Sequence, residues 1–299
     1  MVAVSGGVDS VVLLHLILHL SPDLKPQVQV AHFNHRLRGK QSDAEERFVK
    51  DLCRRWEVPC HTGRAPAWKV KSNLEARARE IRYRFLEKTA RRLGTKKIAV
   101  AHHADDQAET FLIRWIQGAG LKGLGGIGVV RDRIVRPLLF VPRTEIDRYA
   151  SLFRIPYRKD PTNRSDLFLR SRLRRLLTGL KKENPNLGVR AAVNSIFLRA
   201  DESFISSVME ELFIRSAERH ALRVQVDLSL YLRLPEALRF RMLQRMARHL
   251  RSNEYALPAE AVLKADDILR DSGTPKHYDL PSGLGLNKKG EWFELVRKA

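Results

Sequence analysis

The stretch "VAVSGGVDSVVLLHLILHL", residues 2–20, decides which fold we expect for this chain. A short apolar run at residues 2–4 predicts a strand, and the apolar residues after Asp9 predict a helix. The two glycines between them allow a tight turn that directs backbone N–H groups towards the positive end of the helix. The stretch therefore predicts an anion-binding turn, in which Ser5 and Ser10 add hydroxyl donors.

Asp9 is unexpected in such a turn, because a carboxylate repels a phosphate. A magnesium ion between the two groups removes the conflict, since this cation prefers oxygen ligands. The alternative is an ordinary strand-to-helix turn with a capping aspartate. A Walker A loop is excluded because no Gly-Lys-Ser/Thr follows, and "GAGLKG" at 118–123 follows a predicted helix, so we interpret it as a loop.

Strands and helices alternate through the first part of the chain, with strand candidates at residues 2–4, 28–33, 59–62 and 97–102. Ser42 with Glu45, and Ser72 with Glu75, have the spacing of capping boxes, and Gly94 marks a helix end. This alternation predicts an α/β fold, a doubly wound parallel sheet with helices on both faces.

The pattern changes after residue 134. Short and long helices are predicted at 144–153, at 165–182 and from 188 to about 220, followed by a strand at 223–232, two helices divided by Pro258, and final strands within 276–296. We place a domain boundary near Asn184, which gives a domain 1–184 that includes the basic helix 165–182, and a smaller α+β domain 185–299.

The charge balance points to a polyanionic partner. Lysine and arginine number 55 against 34 acidic residues, so the net charge is +21, which favours nucleic acid over a merely soluble surface. Cys53 and Cys60 have the spacing of neither a redox pair nor a zinc site, so we expect reduced thiols and a cytoplasmic protein. The longest apolar run, 11–20, is too short to span a membrane.

The hexapeptide "SGGVDS", residues 5–10, resembles the SGGxDS loop of the N-type ATP pyrophosphatases, or PP-loop family, which cleaves ATP between its α and β phosphates. Further stretches narrow the resemblance: "HFNHRLRG" at 32–39, "NLEARAREIRYRFL" at 73–86, "AHHADDQAETFLIRWIQGAGLKGLGGI" at 101–127, "RPLL" at 136–139, "RTEI" at 143–146 and "DPTNRSDLFLRSRLR" at 160–174. Together they are similar to the tRNA(Ile)-lysidine synthetase family over most of residues 2–176.

That resemblance implies a two-step reaction on RNA. The 2-carbonyl oxygen of the wobble cytidine attacks the α-phosphate of ATP, and the amine of free L-lysine then attacks the same carbon and expels AMP. It implies ATP as substrate, Mg²⁺, and isoleucine tRNA with a CAU anticodon as partner, with domain 185–299 binding tRNA. We expect no membrane partner, given the short apolar run, and a homodimer stays open.

The resemblance also implies site residues. We expect Asp9, Asp106 and Glu109 to be catalytic; Ser5, Gly6, Gly7, Val8, Asp9, Ser10 and His32 to bind ATP; Asp105 and Asp106 to bind lysine; Arg77, Arg170, Arg172 and Arg174 to bind tRNA; and Asp9 to hold magnesium.

The "HHADD" segment, 102–106, lies at the end of the fourth predicted strand, where ligands of open parallel sheets collect. Two carboxylates there can hold magnesium, or bind the ammonium groups of lysine and help to deprotonate the attacking amine. A zinc site is the alternative. We expect Asp105 to cap the following helix as part of its role, which favours Asp106 as the functional residue.

The basic helix places Arg170, Arg172, Arg174 and Arg175 against an apolar face of Leu169, Leu173, Leu176 and Leu177. We expect that face to pack on protein and the arginines to remain free for phosphates, in a helix entered through a turn at 160–163. A solvated amphipathic helix is the alternative. Gln117 and Ser171 depart from the family pattern, which has arginine and asparagine there.

Two rival functions remain. A tRNA thiolase of the same loop family generally needs a cysteine pair or an iron–sulfur cluster, which the spacing of Cys53 and Cys60 does not supply. A non-catalytic RNA-binding protein with a relict nucleotide loop is disfavoured by the intact SGGVDS and HHADD segments.

Overall fold

The computed structural model describes residues 1–20, 27–37, 39–66, 68, 74–158, 169–251, 255–271, 273 and 276–298. The chain divides into two compact units, Met1–Arg199 and Ala200–Ala299. The boundary that the sequence predicts near Asn184 lies just before the long helix in which this division falls. No described helix has the length and the apolar character that crossing a membrane requires.

The first unit begins with alternating strands and helices. In chain order its described elements are β1 (Val2–Ala3), α1 (Val8–Leu20), β2 (Val30–Asn34), α2 (Lys40–Arg55), β3 (Cys60–Arg64), α3 (Leu74–Arg92), β4 (Ile98–Ala99), α4 (Ala104–Ile116), α5 (Leu121–Leu124), β5 (Val130–Arg131), β6 (Ile134–Val135), α6 (Arg143–Leu152) and α7 (Leu169–Glu183). Helix α8 (Leu187–Ser216) follows and contains the division between the units.

The sheet of this unit has the strand order β3-β2-β1-β4-β6-β5. All neighbours are parallel except β5, which pairs antiparallel with β6. The doubly wound α/β fold is thereby confirmed, with an added antiparallel edge strand. Helix α1 is apolar on all sides, and residues such as Val11 and Leu14 are fully buried, because the helix is covered both by the sheet and by α6.

Several local predictions can be compared with the elements. Helix α2 begins at Lys40 with Gly39 as N-cap, so Ser42 is buried inside the helix and the capping box expected there is wrong. Ser72 lies outside the described residues. Gly94 has a φ of +65° just beyond α3, which confirms the predicted helix end.

The second unit is built on a separate antiparallel sheet. Its described elements after α8 are β7 (Ala217–Arg219), β8 (Arg223–Asp227), α9 (Leu228–Arg233), α10 (Glu236–Leu250), α11 (Ala259–Arg270), β9 (His277–Leu280), β10 (Leu284–Lys289) and β11 (Trp292–Arg297). The strand order is β7-β8-β11-β10-β9, and α10 packs on the sheet around a core that includes Tyr231 and Phe293. The predicted α+β character of the second domain is confirmed.

The strand predicted at 223–232 is wrong in its second half. Asp227 ends β8 and begins α9, because its carboxylate accepts a hydrogen bond from the backbone N–H of Leu230 at 2.7 Å. An aspartate in this position satisfies one of the unpaired N–H groups of the first helical turn.

Candidate active site

The turn after β1 has the geometry that its glycines predict. Gly6 has a φ of +96°, a conformation that side chains rarely adopt, and a Cβ there would lie 3.4 Å from Val49 Cγ2. Helix α1 begins two residues later, at Val8. Its first N–H groups have no partner within the helix, so the turn offers backbone donors to an anion.

Ser5 and Ser10 shape this turn from within. Ser10 Oγ donates to the carbonyl oxygen of Gly7 at 2.9 Å and accepts from the Ser5 N–H at 3.1 Å. The two hydroxyl oxygens are 3.0 Å apart, so the Ser5 hydroxyl donates to Ser10. Both hydroxyl protons are therefore used inside the turn, and their role as donors to a ligand stays a prediction.

Asp9 projects from the first turn of α1. Its Oδ2 accepts a hydrogen bond from Arg143 Nη1 at 3.2 Å, whereas Oδ1 is buried and accepts none. Burial raises the pKa of Asp9, and the neighbouring His103 and Arg143 oppose that shift. A buried carboxylate oxygen without a hydrogen bond, beside an anion-binding turn, fits a divalent cation.

His103 joins this turn to the HHADD segment. Its Nε2 lies 3.8 Å from Asp9 Oδ1 and 3.6 Å from Asp106 Oδ2. The segments meet because β1 and β4 are parallel neighbours, so that their carboxyl ends share one edge of the sheet. Asp106 Oδ2 also accepts from the His103 N–H at 3.0 Å. The helix cap expected of Asp105 is therefore wrong, since Asp106 has that role.

The arginines of α7 contact these carboxylates. Arg170 Nη2 donates to Asp106 Oδ1 at 3.0 Å, and its Nε donates to Glu109 Oε2 at 2.7 Å. Arg174 Nε donates to Glu109 Oε1 at 2.6 Å. The expectation that these two arginines are free is wrong, because Glu109 is only 2% exposed and a buried carboxylate requires cationic partners.

The apolar face of α7 is narrower than the sequence suggests. Leu173 and Leu177 are buried as expected, but Leu176 is exposed. The predicted turn at 160–163 and the start of the helix at 165 lie outside the described residues. Arg172 is exposed on α7, and Arg77 is exposed on α3.

Asp105 is enclosed by its neighbours. Lys181 Nζ donates to its Oδ2, and a Cβ at Gly188 would lie 2.5 Å from its Oδ1, so that α8 approaches the carboxylate closely. A substrate ammonium group could reach Asp105 only by replacing Lys181. The sequence offered no signal for this contact, since the two residues lie 76 positions apart.

His32 is buried in the middle of strand β2, which pairs with β1. Its Nδ1 lies 2.9 Å from the carbonyl oxygen of Val4, so the ring proton is on Nδ1. Burial lowers the pKa of His32 and keeps the ring neutral. Its buried Nε2 has no partner and can accept a hydrogen bond.

The zinc interpretation of HHADD finds no support in the geometry. In the part of the chain that the structure describes, no three histidine, cysteine, aspartate or glutamate side chains converge as metal ligands. Sequence reasoning gave no role to Arg143, although it lies in the "RTEI" stretch, and its contact with Asp9 could not be read from a local pattern.

Comparison with known proteins agrees with this geometry. A family model described as a PP-loop domain matches residues 1–180. The chain is similar to proteins named tRNA(Ile)-lysidine synthase from several bacteria. That of Geobacillus kaustophilus is 33% identical over 98% of this chain and 69% of its own length. The Clostridium perfringens protein is 32% identical over 97% of this chain and 63% of its own length. The Thermotoga maritima protein is 41% identical over 62% of this chain and 46% of its own length.

Among solved structures, the U34-tRNA thiolase NcsA from Methanococcus maripaludis, with its 4Fe-4S cluster, has a TM-score of 0.55. It is 21% identical and covers 66% of this chain and 70% of its own, a similarity that supports the fold alone. The family match, the relatives and the meeting of the SGGVDS turn with HHADD lead to one conclusion: the chain belongs to the PP-loop enzymes and, within them, to the tRNA(Ile)-lysidine synthase family.

Proposed function

We propose that this chain attaches L-lysine to the 2-carbon of the wobble cytidine in isoleucine tRNA with a CAU anticodon, at the expense of ATP. One observation carries the proposal: Asp9, which follows the anion-binding turn, and Asp106 lie on either side of His103, with carboxylate oxygens 3.8 Å and 3.6 Å from its Nε2. An ATP whose phosphates lie on the turn would thus have its reacting end beside a cluster of carboxylates that suits a cationic second substrate.

In the first step the cytidine 2-oxygen forms a bond to the α-phosphorus, and pyrophosphate leaves. The N–H groups of the turn and of the first turn of α1 stabilise the charge on the leaving group. His32 Nε2 is available to accept a hydrogen bond from the nucleotide. Magnesium would be held by Asp9, where it would offset the phosphate charge.

In the second step the lysine amine bonds to C2 of the base, the C2–O bond breaks so that AMP leaves with that oxygen, and the amine loses a proton to solvent water. Burial raises the pKa of Asp106, but His103, His102 and Arg170 outweigh burial and hold that pKa below its usual range. Asp106 is therefore ionised at neutral pH and suits the binding of an ammonium group. A carboxylate held in this state is a weak base, so we assign it to binding and orientation.

Helix α7 would link RNA binding to this site. The cations of α7 that contact Asp105, Asp106 and Glu109 are the groups that tRNA phosphates attract. If a phosphate drew Arg170 away, Asp106 would become available for lysine, while Glu109 would keep its contact with Arg174. The assignments of Arg170 and Arg174 to tRNA are retained in this form, and the exposed Arg172 and Arg77 would contact phosphates directly.

Transfer of labelled lysine tests the proposal. The protein, ATP and labelled L-lysine are incubated with an isoleucine tRNA transcript that carries a CAU anticodon, and with a matched transcript in which only the wobble base is changed to uridine. We expect label and equimolar AMP with the first transcript and neither with the second. AMP release without bound lysine, together with acid-labile sulfur in the protein, would favour the thiolase alternative, and no AMP release at all would favour a non-catalytic RNA-binding protein.

A further inference from the structure

A cluster of arginines lies at the same edge of the sheet, outside the groups assigned above. Arg136 follows β6 and is 5% exposed. Its Nε donates to His102 Nδ1 at 3.1 Å, and its Nη1 donates to the carbonyl oxygen of Gly128 at 2.6 Å. Because β4 and β6 are parallel neighbours, this guanidinium and His102 lie at their shared carboxyl end.

Helix α3 brings two further guanidinium groups to this cluster. Arg82 Cζ lies 5.3 Å from the centre of the Tyr83 ring, and Arg79 Nη2 lies 3.4 Å from the Tyr83 hydroxyl. The Arg82 Nε is buried and has no hydrogen-bond partner. The side chain that these cations share is that of a tyrosine and not of a carboxylate.

The charge of this cluster is unbalanced. Burial lowers the pKa of both Arg82 and Arg136, and Tyr83 is the largest opposing influence on each. Within the described ranges, no carboxylate forms an ion pair with either residue. The guanidinium group of Arg239, by contrast, is paired with the buried carboxylate of Asp266 at 2.7 Å. An unpaired buried charge is costly, so a ligand with a negative group would relieve it.

The cluster adjoins the carboxylates of the proposed lysine site. The pKa of His102 is lowered to about 3, by burial above all, while Asp106 acts in the opposite direction and Arg79, Arg136 and Arg82 add to the lowering. One neutral imidazole therefore lies within electrostatic range of both the carboxylate and the arginines. A region that is negative on one side and positive on the other is complementary to a zwitterion.

We propose that Arg82 and Arg136 bind the α-carboxylate of the amino-acid substrate, next to the carboxylates that bind its ammonium groups. This inference rests on the proposed function. A planar carboxylate matches the fork of a guanidinium group and is small enough to reach a side chain as enclosed as that of Arg136. A phosphodiester of RNA fits less well, because it has no cationic group to pair with Asp106 and could reach Arg136 only together with its attached riboses.

Calorimetric titration with L-lysine and with L-lysinamide, in which an uncharged amide replaces the carboxylate, tests this site in the presence of tRNA and an ATP analogue that cannot be cleaved. A hydrogen bond to a charged group contributes about 1.5–3 kcal/mol, so the wild type should bind lysine roughly 10- to 100-fold more tightly than lysinamide. Arg82→Gln should lose most of this preference by weakening lysine alone, and Arg82→Lys should keep part of it.

Arg84→Gln is the matched control, because Arg84 is on the same helix, is exposed and forms an ion pair with Glu80 at 2.7 Å. It should keep the wild-type preference. Equal affinity of the wild type for the two ligands would overturn the inference, as would an equal loss of both in Arg82→Gln. The inference would also be overturned if Arg82→Gln kept the preference for lysine over lysinamide and its tRNA binding depended less on salt. That result would assign Arg82 to a phosphate of the RNA. Failure of lysine transfer in the separate labelling assay would contradict the proposed function instead.

Discussion

The partly buried carboxylate of Asp9 lowers the stability of the fold but suits the chemistry proposed for the site. Its carboxylate is partly compensated by Arg143 at 3.2 Å, yet one oxygen remains buried without a hydrogen bond, and burial raises its pKa. A carboxyl group whose pKa is raised on folding destabilises the native state when it is ionised, that is, at pH values above that pKa. The cost is understandable if a cation and a triphosphate complete the site.

Asp9→Asn should therefore reduce AMP formation by about 10²-fold or more, since it removes a well-placed charge while keeping the shape of the turn. It should not lower the melting temperature at pH 7, because it also removes the buried charge. Asp147→Asn is the control, as Asp147 also contacts Arg143, at 3.1 Å, but is half-exposed on α6. Wild-type turnover in Asp9→Asn at limiting magnesium would contradict the role of Asp9.

His102 gives a prediction about pH. The pKa of His102 is 6.5 in the unfolded chain and is lowered to about 3 in the folded protein. At pH values above 6.5 the ring is neutral in both states, and as the pH falls from 6.5 towards 3 the unfolded chain binds the proton first, so the native state loses stability. Stability to urea should therefore fall less between pH 7 and pH 5 in His102→Asn than in the wild type. Parallel losses in the two proteins would show that His102 ionises as it does in the unfolded chain.

Helix α7 is held on α4 by ion pairs whose carboxylates are buried. Arg170→Ala combined with Arg174→Ala leaves Glu109 without a partner, and breaking a buried pair costs about 3–5 kcal/mol. The double variant should have a clearly lower melting temperature, and adding Glu109→Gln should restore part of it. Lys182→Ala, a substitution at an exposed position on the same helix, should melt within a few degrees of the wild type.

An unchanged melting temperature in the Arg170 and Arg174 double variant would show that solvent compensates Glu109 and that α7 is not held in this way. Loss of tRNA affinity without loss of stability would instead support the simpler expectation that these arginines serve phosphates alone.

Local patterns and sheet topology explain which parts of the site could be predicted from the sequence. The turn at 5–10 depends on neighbouring residues, and the meeting of Asp9 with Asp106 follows from parallel strands that end at one edge. The contact of Arg170 with Glu109 joins residues 61 positions apart, and that of Lys181 with Asp105 joins residues 76 positions apart. The periodicity of the sequence does not reveal such contacts. The hairpin of β5 and β6 was missed because a strand of two residues has no alternation to recognise.

The net charge of +21 over 299 residues makes electrostatics important for any RNA complex of this protein. Binding that neutralises six to ten phosphates should weaken roughly 10³- to 10⁵-fold between 50 and 200 mM salt. Filter binding of tRNA across that range measures the slope, with Lys122→Ala, a substitution in the short helix α5, as a test of how far single surface cations contribute. An affinity that does not depend on salt would contradict a binding mode dominated by phosphates.

The mass of the wobble nucleoside tests the central claim most directly. After reaction with ATP, L-lysine and isoleucine tRNA, the RNA is digested to nucleosides and analysed by mass spectrometry. We predict a cytidine that has gained one lysine and lost one water, formed by the wild type and almost absent with Asp9→Asn. An unmodified wobble cytidine despite AMP release, or a cytidine carrying sulfur, would contradict lysine transfer as the function of this chain.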